Sequence, residues 1–342
     1  MGDDRDNQWT PPSGWRSYQG RAVRVFLAVV LAAATAMAAP AQDGKGQLAQ
    51  ANAALQAGQA DKALALLAQS GAAPAEAHNL KCRVLYTLEQ WDRAADECEQ
   101  AVKLDPQNSE YHMWLGRALG EKASRASFLS AYSLGKRVRG EFEEAARLNP
   151  RNAEALADLG EFYHDAPSVV GGGLDKAESV AAQLAKFDQV RAHELRGRIA
   201  EARKDYATAE QQFKQAIGAS PQPAFEWMTL ASFYRRRERW TDMESALRSG
   251  ENAAQHDKKS GVALYNGAGV LRACHRDPEL AAKLLEQYLA GPRLTEEAPA
   301  FVAHTRLAVL KAQLGDPAAA SRERAAALAL AHDYKPAQEL KH

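Results

Sequence analysis

Cysteine is scarce: three in 342 residues, too few for a disulfide framework or a four-cysteine metal site. Neither charge sign dominates. The 43 basic and 43 acidic residues cancel, which removes the electrostatic footprint of a protein built around nonspecific nucleic-acid binding. Aromatic residues are only 7% of the chain. Apolar runs are short, and none reaches the ~20 residues of a membrane-spanning helix. Disordered composition is missing too, since 46% hydrophobic and 25% charged residues are ordinary for a folded chain. What is plentiful is alanine, with few β-branched runs. That combination favours helices packed closely together.

The first 41 residues read as an address. A polar stretch carries Arg16, Arg21 and Arg24, and then comes VFLAVVLAAATAMAAPA at 25–41. Arginines, a short apolar run and small residues at its end are the marks of a secretory signal. Two small-x-small cleavage sites are available, Ala36-Met37-Ala38 and Ala39-Pro40-Ala41, and polar Gln42 directly after favours the second. The polar stretch is long for a signal, so an uncleaved membrane anchor is the alternative. Either reading exports residues 42–342, to the periplasm or cell envelope.

The rest is organised by a repeat. Segments 75–108 and 190–223 align without gaps. Ala94, Ala101 and Pro106 follow Trp91 at the offsets by which Ala209, Ala216 and Pro221 follow Tyr206. Each unit reads as helix, short turn, helix and a proline-marked exit, because proline cannot continue a helix. Successive exits are LDPQN at 104–108, LNPRN at 148–152 and ASPQP at 219–223. Gly116, Gly160 and Gly197 sit where helices cross, beside large residues such as Phe142, Tyr163 and Phe213. One helical hairpin cannot bury its apolar face alone, so the units must stack.

VRAHELRGRIAEARKDYATAEQQFKQAIGASP at 190–221 resembles the tetratricopeptide repeat family. The residues that carry the resemblance are Gly197, Tyr206, Ala209, Phe213, Ala216 and Pro221. It implies an all-α, right-handed solenoid of roughly eight stacked helix-turn-helix repeats. Two departures stand out. About ten residues are inserted near 120–140, judged against the family's period. The turn near 164–175 expands into HDAPSVVGGGLDKAES.

Several constellations suggest chemistry. His78, His112, His193 and His304 share the fourth position of the first helix. Equivalent positions lie on the order of 10 Å apart in stacked helices, whereas zinc ligands converge at about 2 Å. These histidines read as packing residues, and no metal or cofactor is expected. Gly171-Gly172-Gly173 before a helix lacks the GK[ST] of a phosphate loop and reads as a turn. Cys82 and Cys98 fall where the two helices of one hairpin face each other. They are either a disulfide, which export permits, or two small apolar residues at a crossing. No nucleophile–base arrangement is evident, so an enzyme is not expected.

The resemblance places binding in the concave groove. Residues expected there are Asn79, Arg83, Met113, Arg117, Glu161, Arg191, Arg198, Phe225, Met228 and Arg235. An arginine fork suits the carboxylates of a bound peptide. The same arginines could instead pair with neighbouring glutamates and hold the stack together. The family's clamp for a C-terminal carboxylate does not carry over, because the matching positions hold Asn79, Arg83, Trp114, Glu154 and Asp158. The expected function is a non-enzymatic protein-interaction scaffold that binds a peptide or helix. A small-carboxylate binding or transport module and a membrane-tethered assembly factor are the alternatives. A protein or peptide partner is expected, and nucleic acid is not.

Overall fold

The computed structural model describes residues 44–69, 74–257, 260–292 and 294–341. The expected export segment at 1–41 lies outside them. Every regular element among the described residues is helical. Eight hairpins follow one another: α1 (Gly44–Gln56) with α2 (Ala60–Gln69), α3 (Ala75–Thr87) with α4 (Trp91–Leu104), α5 (Ser109–Ala123) with α6 (Phe128–Leu148), and α7 (Ala153–Asp165) with α8 (Leu174–Leu184). Then come α9 (Gln189–Ala202) with α10 (Tyr206–Ala219), α11 (Ala224–Arg236) with α12 (Trp240–Ala254), α13 (Ser260–Ala273) with α14 (Pro278–Ala290), and α15 (Ala300–Gln313) with α16 (Pro317–Leu330). A short α17 (Lys335–Gln338) ends the chain.

Local chemistry starts the helices where the sequence places caps. The side chain of Asn108 accepts from Glu110 N at 3.0 Å, and that of Asn152 from Ala155 N at 3.1 Å. Asp188, Asp205, Asp277 and Asp316 do the same for α9, α10, α14 and α16. Each satisfies a backbone donor that the first helical turn leaves without a partner.

Glycine sets how closely the helices approach. A Cβ on Gly116 would stand 2.5 Å from Phe142 Cε1, and one on Gly197 2.8 Å from Phe213 Cε1. One on Gly267 would meet Met228 Sδ at 2.8 Å. Only hydrogen fits in these slots.

The four histidines at the shared position bolt their hairpins. Nδ1 of His78 lies 2.7 Å from Glu97, His112 2.7 Å from Glu141, His193 2.8 Å from Gln212 and His304 2.6 Å from Glu323. The partner is 19 residues on in three cases and 29 in the α5–α6 hairpin. The difference of ten is the insertion. It lengthens α6 to 21 residues and leaves Phe128 84% and Leu129 79% exposed at its start. The expanded turn is built by Gly171 and Gly173 at positive φ, with Lys176 Nζ donating to Gly171 O at 2.8 Å. Asp175, at the start of α8, pairs with Arg203 at 3.0 Å.

First helices touch one another along the stack, α1 to α3, α3 to α5, α5 to α7, α7 to α9 and α11 to α13. Among the described residues, second helices that follow one another in the chain do not pack as closely, and α16 meets α2 only where the stack closes. First helices therefore form the inner wall, at smaller radius.

The stack closes on itself. Leu48, Leu55, Leu67, Leu80, Val84 and Leu88 from the first two hairpins share one core with Phe301 and Ala327 from the last and with Ala331, Tyr334 and Ala337 from the segment that follows it. A Cβ on Gly58, which has φ +67°, would stand 2.5 Å from Ala300 N. The Phe301 and Tyr334 rings lie 4.9 Å apart, edge to face. Tyr334 donates its hydroxyl to Glu89 at 2.8 Å, and His332 N donates to Asp61 at 2.9 Å. An open solenoid would leave both ends of its apolar stripe facing water; here each end covers the other.

Candidate functional site

The inner wall carries a ladder of arginines, and three of its rungs are occupied from within the chain. Arg117 reaches Asp158 at 2.6 Å and Glu154 at 3.4 Å on the next first helix. Arg198 pairs with Glu161 on the preceding first helix and with Asp165 at 3.5 Å. Arg83 reaches Glu110 at 3.3 Å and, over a span of 213 residues, Glu296 with Nε at 2.9 Å. Burial alone would lower the pKa of each guanidinium; the facing carboxylates outweigh it and raise all three. Trp114 lies between two of them, its ring 5.4 Å from Arg83 and 4.7 Å from Arg117.

Glu296 belongs to the connection between the seventh and eighth hairpins, which crosses to the first repeats. Gln56 donates to Glu296 at 2.8 Å and accepts from Glu296 N at 3.3 Å and from Thr295 at 3.4 Å. Tyr288 holds the far side of the connection by donating to Ala298 O. Next along it, Glu297 lies within electrostatic reach of Arg117 and Arg191; the protein around it and Glu154 raise its pKa. An acidic segment of the chain thus rests against part of the wall expected to take a partner.

The remaining expected site residues scatter. Asn79, Met113 and Met228 are core residues, 2%, 3% and 2% exposed, and do not line a groove. The fifth position of the first helix turns toward the neighbouring repeat, so Met228 fills the space that Gly250 and Gly267 leave open. Arg191 turns back to Asp188 at 3.3 Å, within its own helix start. Phe225 is partly exposed, and Arg235 has a buried Nε with no hydrogen-bond partner. Glu161 serves as the partner of Arg198. Cys82 and Cys98 are joined as a disulfide across α3 and α4, with Cα atoms 5.3 Å apart, and Cys274 is a free thiol.

Sequence reasoning missed Gln56, Glu296 and Glu297, because a loop without apolar period gives no sign of where it lands. It also missed Arg272 and Arg306. They stand in α13 and α15 at positions outside the register used to read the groove.

Among the described residues there is no group of three or more His, Cys, Asp or Glu arranged to hold a metal ion. Nor is any described helix long and apolar enough to cross a membrane.

Comparison with known proteins bears on the fold. Two sequence models, each described as tetratricopeptide repeat, match residues 75–108 and 169–223. No curated protein matches the chain. Among solved structures, a thermophilic TPR protein of Thermus thermophilus is similar at 20% identity, over 56% of this chain and 98% of its own, with a TM-score of 0.48. A tetratricopeptide repeat protein of Parabacteroides merdae is similar at 12% identity, over 78% and 98%, with a TM-score of 0.43. PilF of Pseudomonas aeruginosa is similar at 16% identity, over 62% and 89%, with a TM-score of 0.39. The chain thus carries tetratricopeptide repeats, two of them matched directly, within a series of eight helical hairpins among the described residues.

Proposed function

We propose that this chain is a non-enzymatic scaffold of the periplasm or cell envelope that holds a peptide or helix of a protein partner against its inner wall. Repeats of this family are in general protein-interaction scaffolds without catalytic chemistry. One observation carries the finer reading: the wall already holds an acidic turn of its own chain, through Arg83, Gln56 and Glu296. A wall that binds chain in cis offers the same fork-and-carboxylate chemistry in trans. The signal-like segment at 25–41 supports export, as does the Cys82–Cys98 disulfide, which persists in oxidising compartments.

Mild crosslinking of the full chain in envelope material, with the crosslinked residues mapped by mass spectrometry, tests this reading. Partner crosslinks on first helices are expected. Crosslinks confined to second helices, or to the exposed start of α6, would overturn inner-wall binding. The intact mass of the recovered chain reports whether residues 1–41 are retained.

A further inference from the structure

The inner-wall arginines divide into two sets. Arg83, Arg117 and Arg198 each meet carboxylates. Arg272 on α13 and Arg306 on α15 do not: neither forms an ion pair or hydrogen bond among the described residues. Both are half-buried. The guanidinium of Arg306 lies 4.2 Å from the centre of the Tyr265 ring. Tyr265 stands on α13 two turns before Arg272, on the same face. The two cations are therefore neighbours. Glu89 lies within electrostatic reach of Arg306 but forms no salt bridge with it, and accepts instead from the hydroxyl of Tyr334. Burial first, and repulsion from Arg306 second, pull the pKa of Arg272 down to about 10.

Two half-buried cations held side by side with no carboxylate in salt-bridge contact are costly in isolation. The fold bears that cost beside the seam where the last repeat meets the first. It neutralises Arg83 with its own Glu296 and leaves this pair open. A planar guanidinium pair matches the oxyanion of a carboxylate in geometry as well as in charge.

The geometry points to Arg272 and Arg306 as a binding site for a carboxylate carried by an acidic segment of the partner protein. This rests on the scaffold reading and gives it a partner chemistry: Asp- or Glu-rich chain, entering along the inner wall of the last two hairpins. The partner's carboxylate would supply to this pair what Glu296 supplies to Arg83.

The test uses the full chain and a labelled hexaglutamate peptide, read by fluorescence anisotropy at low and moderate salt. Binding that weakens with salt is expected, reduced at least tenfold in the R272Q/R306Q double variant. R248Q, which removes an exposed arginine on a second helix, should leave it unchanged. The double variant should melt no lower than the parent, because it removes two cations that have no ion partner; a lowered melting temperature would reveal a structural role and overturn the assignment. Equal peptide binding by parent and double variant would also overturn it. So would inorganic phosphate binding at this pair with no peptide binding, since that would make it a small-anion site. Inner-wall crosslinks to a partner that persist in R272Q/R306Q would leave the scaffold reading standing and remove this one. Hexaglutamate binding at the pair without inner-wall crosslinks would do the reverse.

Discussion

Arg83 and Glu296 stand 213 residues apart in sequence, yet Arg83 Nε lies 2.9 Å from the Glu296 carboxylate on the inner wall. Their side chains are 13% and 11% exposed, so the pair is largely withdrawn from water. Removing one partner of such a pair strands the other. Glu296→Gln should therefore destabilise the fold by about 3 kcal/mol, the low end for breaking a buried pair. Equilibrium denaturation in urea measures it, and a loss below ~1 kcal/mol would mean the contact is no tighter than a surface pair.

The two glycines of α5 lie one turn apart and should respond oppositely. Gly116→Ala places a methyl 2.5 Å from Phe142 and should cost about 1–3 kcal/mol through overpacking. A Cβ at Gly120 meets nothing within 4 Å, so Gly120→Ala should stabilise by up to ~1 kcal/mol through helix propensity. Thermal melts of the two variants against the parent decide it.

His112 and Glu194 make stability depend on pH in the same direction. The hydrogen bond that His112 donates to Glu141 raises its pKa above the usual ~6.5. The stability this lends is fully present below pH ~6.5 and is lost as pH rises through the folded-state value. Glu141→Gln should bring the His112 titration down, as read by NMR. Burial first, and Glu226 second, push Glu194 up to about 7. Its folded pKa is raised, so no penalty exists below the unfolded value near 4.5, and the full penalty exists above about 7. Glu194→Gln should then raise the melting temperature at pH ~8 and leave it nearly unchanged at pH ~4.

Reduction should cost stability as well. The Cys82–Cys98 bond closes a loop over a separation of 16 residues, for which chain entropy suggests about 3 kcal/mol. The Cys82→Ser/Cys98→Ser variant, compared with the parent with and without reductant, checks this. An unreduced parent that melts no higher than the variant would contradict it.

The repeat was legible because its register is written in residue size. Glycine at 116, 160 and 197 and alanine at 94, 101, 209 and 216 recur where helices cross, and the period survives the insertion in α6. The packing role of the histidines was legible in their shared position, but their acidic or amide partners 19 or 29 residues on became visible only with both helices in place. Assigning Met113 and Met228 to the groove failed, because the direction of the fifth position depends on how each repeat rotates against the next. Closure was not legible for the same reason. It is the sum of eight such rotations, and no single residue states it.

The most direct test of closure is native-state hydrogen exchange on Phe301→Ala. Phe301 is 1% exposed and lies in the core shared by the first two hairpins and the last. The closed stack predicts faster exchange in α1 and α3, more than 200 residues upstream of the substitution, with α9 and α10 unchanged. Loss of protection confined to α15–α17, with α1 and α3 as protected as in the parent, would contradict it and leave the solenoid open.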